Sequence, residues 1–67
     1  MDGIRIEAAV KGANVTGNTV NGPLTTRKAI RVLGTNNVVL GNTAITPNVA
    51  PFSIAVGNED AHNISVP

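Results

Sequence analysis

Apolar and polar residues alternate in short bursts along this chain, each burst ended by glycine or asparagine. Ile4, Ile6, Ala8 and Val10 alternate with Arg5, Glu7, Ala9 and Lys11, the period of two expected of a strand with one buried face. Gly12-Ala13 turns the chain, Asn14-Val15-Thr16 is a second short strand, and Gly17-Asn18 turns again before Thr19-Val20. Asn21-Gly22-Pro23 is a strong turn signal, because glycine frees φ and proline fixes it. Leu24 to Lys28 is then a polar excursion.

The pattern restarts at Ile30-Arg31-Val32, turns through Leu33 to Asn37, and continues as Val38-Val39-Leu40, Gly41-Asn42 and Thr43-Ala44-Ile45. Asn48 to Phe52 reads as a second excursion, with Pro47 and Pro51 opposing ladder pairing. A third round opens at Ile54-Ala55-Val56, turns through Gly57 to Ala61 and reaches Asn63-Ile64-Ser65-Val66. The phrases Gly3-Ile4-Arg5-Ile6, Ala29-Ile30-Arg31-Val32 and Ser53-Ile54-Ala55-Val56 lie 26 and 24 positions apart, and Gly17-Asn18-Thr19 returns 24 positions later as Gly41-Asn42-Thr43. A repeat of that period is the mark of a solenoid.

Strands of two to four residues suit coils better than hairpins, which predicts one all-β domain over 1–67, with coils at approximately 4–28, 29–52 and 53–67. Stacking places Ile4, Ile30 and Ile54 in one inward column and Ile6, Val32 and Val56 in another, at a spacing of about 4.8 Å. Asn18 over Asn42 makes an asparagine ladder, Thr19 over Thr43 a second row, and Arg5 over Arg31 an outward pair that Ala55 does not extend.

Phrases such as Asn37-Val38-Val39-Leu40-Gly41-Asn42-Thr43 resemble the coils of right-handed parallel β-helix proteins, the pectate-lyase-like fold (also called pectin lyase-like). That fold is shared by polysaccharide lyases, epimerases and bacteriophage tailspikes, and a tailspike segment is the nearest likeness. The resemblance implies a short right-handed, single-stranded parallel β-helix of about two and a half coils. Its functions are many, so the fold alone does not select one.

Composition agrees with this reading. Val and Ile supply 15 of 67 residues, strong helix formers are scarce, and Phe52 is the lone aromatic, so no aromatic cluster anchors the core. There is no cysteine, hence no disulfide framework. The net charge is +1 and the basic residues Arg5, Lys11, Arg27, Lys28 and Arg31 never run beyond two, which points away from nucleic acid. No apolar stretch reaches the length of a membrane span, and Met1-Asp2-Gly3 does not begin a signal peptide.

A solenoid buries its core only between neighbouring coils, and no amphipathic cap precedes Ile4. The expectation is a piece of a longer β-helix, or a subunit completed by identical neighbours. Resemblance to tailspikes implies a side-by-side homotrimer, and coils shared between chains are the alternative.

No catalytic, cofactor-binding or metal-binding residue is assigned, and no cofactor is expected. Asn58-Glu59-Asp60-Ala61-His62 combines two carboxylates with an imidazole, but a polar turn between strands accounts for it. Adjacent Glu59 and Asp60 do not form the facing pair that glycoside hydrolysis needs. Arg27-Lys28 and Arg31 could meet an acidic sugar, but a solvated face explains them as well. The resemblance brings in a His-x-His iron site of membrane-piercing spikes, which His62 alone does not match.

The expected function is therefore a structural, oligomerising β-helix module of a tailspike-like viral protein or another extracellular fibre, located in the virion or outside the cell. Glycan contact through shallow polar grooves is a secondary expectation. A non-enzymatic fragment of a polysaccharide-processing enzyme, its active coils lying elsewhere, is the first alternative. An ice-binding solenoid built on Thr19 and Thr43 is the second.

Overall fold

Nine three-residue strands account for all the regular structure that the computed structural model describes, which covers residues 2–23 and 27–67. They are β1 (Ile4–Ile6), β2 (Asn14–Thr16), β3 (Thr19–Asn21), β4 (Ile30–Val32), β5 (Val38–Leu40), β6 (Thr43–Ile45), β7 (Phe52–Ile54), β8 (Glu59–Ala61) and β9 (Ile64–Val66). Each strand from β1 to β6 pairs in parallel with the strand three places further on. The result is three sheets, β1-β4-β7, β2-β5-β8 and β3-β6-β9. Parallel strands cannot be joined by tight hairpins, so the chain travels once round all three sheets before meeting itself again. This is a short parallel β-helix of about three coils, half a coil more than the phrase count suggests. Leu24, at the head of the first excursion, and Met1 lie outside the described residues.

The first two coils stack as the sequence predicts, with Ile4 over Ile30, Arg5 over Arg31 and Ile6 over Val32. The third does not. Ile30 pairs with Phe52 and Val32 with Ile54, so the outward partner of Arg31 is Ser53, not Ala55. Val56, assigned to the core by its Ile-x-Val phrase, is 95% exposed. The connections explain the shift. Eight residues join β3 to β4, but only the six from Thr46 to Pro51 join β6 to β7, so the third coil starts two residues earlier than a 24-residue repeat would place it. Phe52 consequently belongs to a strand, and the excursion ends at Pro51.

Two further expectations are corrected. The alternating run from Ile4 stops being a strand at Ile6, because the Val10 N–H donates to the Glu7 carbonyl and closes a turn. Gly34 lies against that turn; a Cβ there would come within 2.3 Å of the Val10 carbonyl oxygen, so glycine is required by close approach. Glu59 to Ala61, read as part of a turn, forms β8 in register with β5.

The core is the middle coil. Ile30, Val32, Val39 and Ala44 are fully buried, and Val15 nearly so. Ile4, Ile6, Val20, Phe52 and Ile54 pack against them from the layers on either side. Only the middle layer has a neighbour both above and below, which is why burial concentrates there.

Candidate functional site

Asparagine carries the corners. β2 to β3, β5 to β6 and β8 to β9 are each joined by two residues, Gly17-Asn18, Gly41-Asn42 and His62-Asn63. The first residue of each takes a left-handed backbone conformation, with φ of 65°, 65° and 56°. The second sends its side chain inward. Asn42 Oδ1 accepts from the Asn18 N–H at 3.0 Å, and Asn63 Oδ1 accepts from the Asn42 N–H at 3.1 Å. Asn42 Nδ2 donates to the Val15 carbonyl and Asn63 Nδ2 to the Val39 carbonyl, both at 2.9 Å. Asn42 and Asn63 thus each tie their own corner to the coil before it, while Asn18 Nδ2 donates forward to Asn42 Oδ1.

A second ladder repeats this logic at the preceding corner. Gly12, Asn36 and Gly57 have φ of 76°, 59° and 98°. Asn37 Oδ1 accepts from the Ala13 N–H at 2.8 Å, and Asn58 Oδ1 from the Asn37 N–H at 2.9 Å. Asn37 Nδ2 reaches the Val10 carbonyl and Asn58 Nδ2 the Gly34 carbonyl. Among the described residues every buried side-chain nitrogen and oxygen has a partner. That matters because an orphaned buried amide costs about 1–3 kcal/mol. The sequence reading found Asn18 and Asn42 but missed Asn63, Asn37 and Asn58. Their signal was the spacing of 21 between Asn37 and Asn58, repeated between Asn42 and Asn63.

The basic residues meet an acid that sequence reasoning passed over. Asp2 Oδ2 accepts from Arg31 Nε at 2.8 Å and lies 3.4 Å from a terminal nitrogen of Arg5, while Asp2 Oδ1 accepts from the Lys28 N–H at 2.9 Å. One carboxylate therefore bridges the stacked Arg5 and Arg31 and cancels their repulsion. The Arg31 hydrogen bond, helped by the Lys28 N–H, lowers the Asp2 pKa from 3.8 to about 2. Arg5 also pairs with Glu7, and the Lys28 ammonium donates to the Ala50 carbonyl at 2.7 Å. Arg27 is exposed, and its carbonyl accepts from Asn48 Nδ2 at 2.7 Å.

The Glu59–His62 segment is dispersed by its strand. Asp60 shares the inward column of Val39, while Glu59 and Ala61 continue the outward positions of Val38 and Leu40. The two carboxylates therefore leave opposite faces of the sheet. His62 turns the corner and is exposed. Asp60 Oδ1 accepts from Asn63 Nδ2 at 2.7 Å. Among the described residues no three acidic, histidine or cysteine side chains gather as a metal site would need, and no pocket opens. No helix among them is long and apolar enough to cross a membrane.

Two outward features remain. Thr19 and Thr43 are in register, and the next member of their row is Ile64. Beside it Asn21, Ile45 and Val66 form a parallel row, so the outer face of β3-β6-β9 becomes more apolar from coil to coil. Ile64 is 56% exposed and Val66 43%. Comparison of the chain with protein-family models, curated proteins and solved structures gave no significant match.

Proposed function

We propose that this chain is a structural β-solenoid module that works by side-by-side association, as in a tailspike-like or other extracellular fibre. A homotrimer is the favoured assembly. The observation that carries the proposal is the outer face of β6 and β9, where Ile45, Ile64 and Val66 lie together on one face of the sheet. Apolar side chains on a rigid sheet are a surface suited to a partner, because little ordering entropy is lost when they are covered.

The two asparagine ladders support the same reading, since they fix the coils without a large core. Glycan contact would use the polar rim of this face, where Thr19, Asn21 and Thr43 stand. Location in a virion or outside the cell follows from the proposed fibre role.

Sedimentation equilibrium of the chain tests this directly, and a trimer mass is expected. Ile64→Lys with Val66→Lys is expected to give monomers that keep the β-sheet circular dichroism. A wild-type chain that stays monomeric at every concentration overturns the proposal. Cleavage of a polysaccharide by the chain alone would replace it with an enzymatic role.

A further inference from the structure

The inward columns change character along the axis. Ile4–Ile30–Phe52 and Ile6–Val32–Ile54 are apolar throughout. Val15–Val39–Asp60 and Val20–Ala44–Ser65 begin apolar and end on a carboxylate and a hydroxyl. In-register parallel strands present the side chains of one column on one face. Asp60 and Ser65 therefore stand where the apolar interior would continue, while Val39 and Ala44, one layer back, are fully buried.

In other respects the third layer is a good template for a further coil. The Asn18 and Asn42 N–H groups each reach the next asparagine, and by the same progression the Asn63 N–H faces the open side. The Gly17 and Gly41 N–H groups donate to Leu40 and Ala61 carbonyls, and His62 continues that series. Each copy of the chain also carries a coil that fits such a template, since Ile4, Ile6, Val15 and Val20 fill its four columns. An open edge of this kind invites pairing unless something opposes it, and inward-pointing charge is one means of doing so.

We propose that Asp60 and Ser65 close the third layer against a coil from a second copy of the chain. Covering Asp60 with an apolar layer would strip its carboxylate of water while leaving it the single side-chain partner Asn63. Ser65 would lose water in the same way. Stacking of a second copy on this layer is thereby opposed. The sideways surface belongs to different residues, so the two ideas stand or fall separately.

The test compares the whole wild-type chain with Asp60→Val/Ser65→Ala by sedimentation velocity over a concentration series, with circular dichroism to confirm the fold. The double variant is expected to add mass beyond the wild-type species, at concentrations at least about tenfold lower than any such addition by wild type. Asp60→Asn, which keeps a polar group in the column, is expected to hold the wild-type mass. Equal masses for wild type and a folded double variant overturn the proposal, as does Asp60→Asn associating as readily as the double variant. Should the double variant lose its β-sheet signal, Ser65→Val is judged by the same criterion. A monomeric wild type would defeat the trimer and leave this comparison intact.

Discussion

Ile30 lies over Phe52, and this pairing sets the register of the whole third coil. The distance from Ile4 to Ile30 is 26 positions, whereas that from Ile30 to Phe52 is 22, so the repeat shortens as it advances. Phe52 and Val56 consequently have opposite fates, one packed on the core and the other in water. Phe52→Ala should destabilise the chain by about 2–3 kcal/mol, below the range for a fully buried phenylalanine because its ring is half-buried. Val56→Ala should change stability by less than about 0.5 kcal/mol. Urea unfolding followed by circular dichroism measures both. Similar losses from the two would refute the register.

The coil architecture was legible because Ile4-Arg5-Ile6 and Ile30-Arg31-Val32 match in both type and order, and inward and outward positions followed at once. The third register was not. Ser53-Ile54-Ala55-Val56 imitates the phrase, and residue type alone carries no information on how many residues a turn consumes. Asn63 was hidden because His62 stands where Gly17 and Gly41 announce the other corners. Asp2 was hidden for another reason. Its contacts with Arg31 and Lys28 span 29 and 26 positions and depend on the path of the entering segment, which no periodicity encodes.

The asparagine ladder makes an unequal prediction along its length. Asn42 is fully buried and its side chain serves Asn18, Val15 and Asn63. Asn42→Ala orphans the Asn18 N–H, removes the side-chain donor from the Val15 carbonyl and from Asn63 Oδ1, and should cost about 2–4 kcal/mol. Asn18→Ala removes only one donor to Asn42, and about 1 kcal/mol is expected. Denaturant titration of both variants decides this. Equal costs would mean that the corner backbone, not the amide, holds the coils.

Asp2 gives the chain an acid-sensitive contact. Its folded-state pKa is depressed, so the stability it contributes is complete above its ordinary value of 3.8 and disappears as pH falls through about 2. The full shift would be worth about 2.5 kcal/mol, and solvent screening reduces that to about 1 kcal/mol. Asp2→Asn should therefore be about 1 kcal/mol less stable than wild type at neutral pH, and the gap should close on acidification across that window. Melting temperatures measured from neutral pH down to about pH 2 test it. A gap that widens in acid would reverse the sign and rule the contact out.

Ile30 and Arg31 are adjacent but face opposite ways. Ile30→Asp places a carboxylate at the most enclosed point of the middle coil and should unfold the chain. Arg31→Ser, which copies Ser53 one layer on, should lose only the Asp2 contact, about 1 kcal/mol. Arg31→Asp should cost more than Arg31→Ser, because it sets a second carboxylate beside Asp2. Thermal melts of the three variants check the order, and an Arg31→Ser chain that unfolds would place Arg31 in the core.

His62 is the irregular member of a corner column whose other members are Gly17 and Gly41. All three have left-handed φ near +60°, a conformation that a Cβ penalises by about 1 kcal/mol and glycine adopts freely. The imidazole is exposed at this corner, so little packing is lost on its removal. Glycine also loses more entropy on folding, which offsets part of the relief. His62→Gly should raise stability by about 0.5 kcal/mol, while Gly41→Ala, with open space around its added Cβ, should lower it by about 1 kcal/mol through backbone strain alone. Paired urea titrations resolve the two signs. A destabilised His62→Gly chain would mean that the imidazole is held by a contact worth more than the strain it causes.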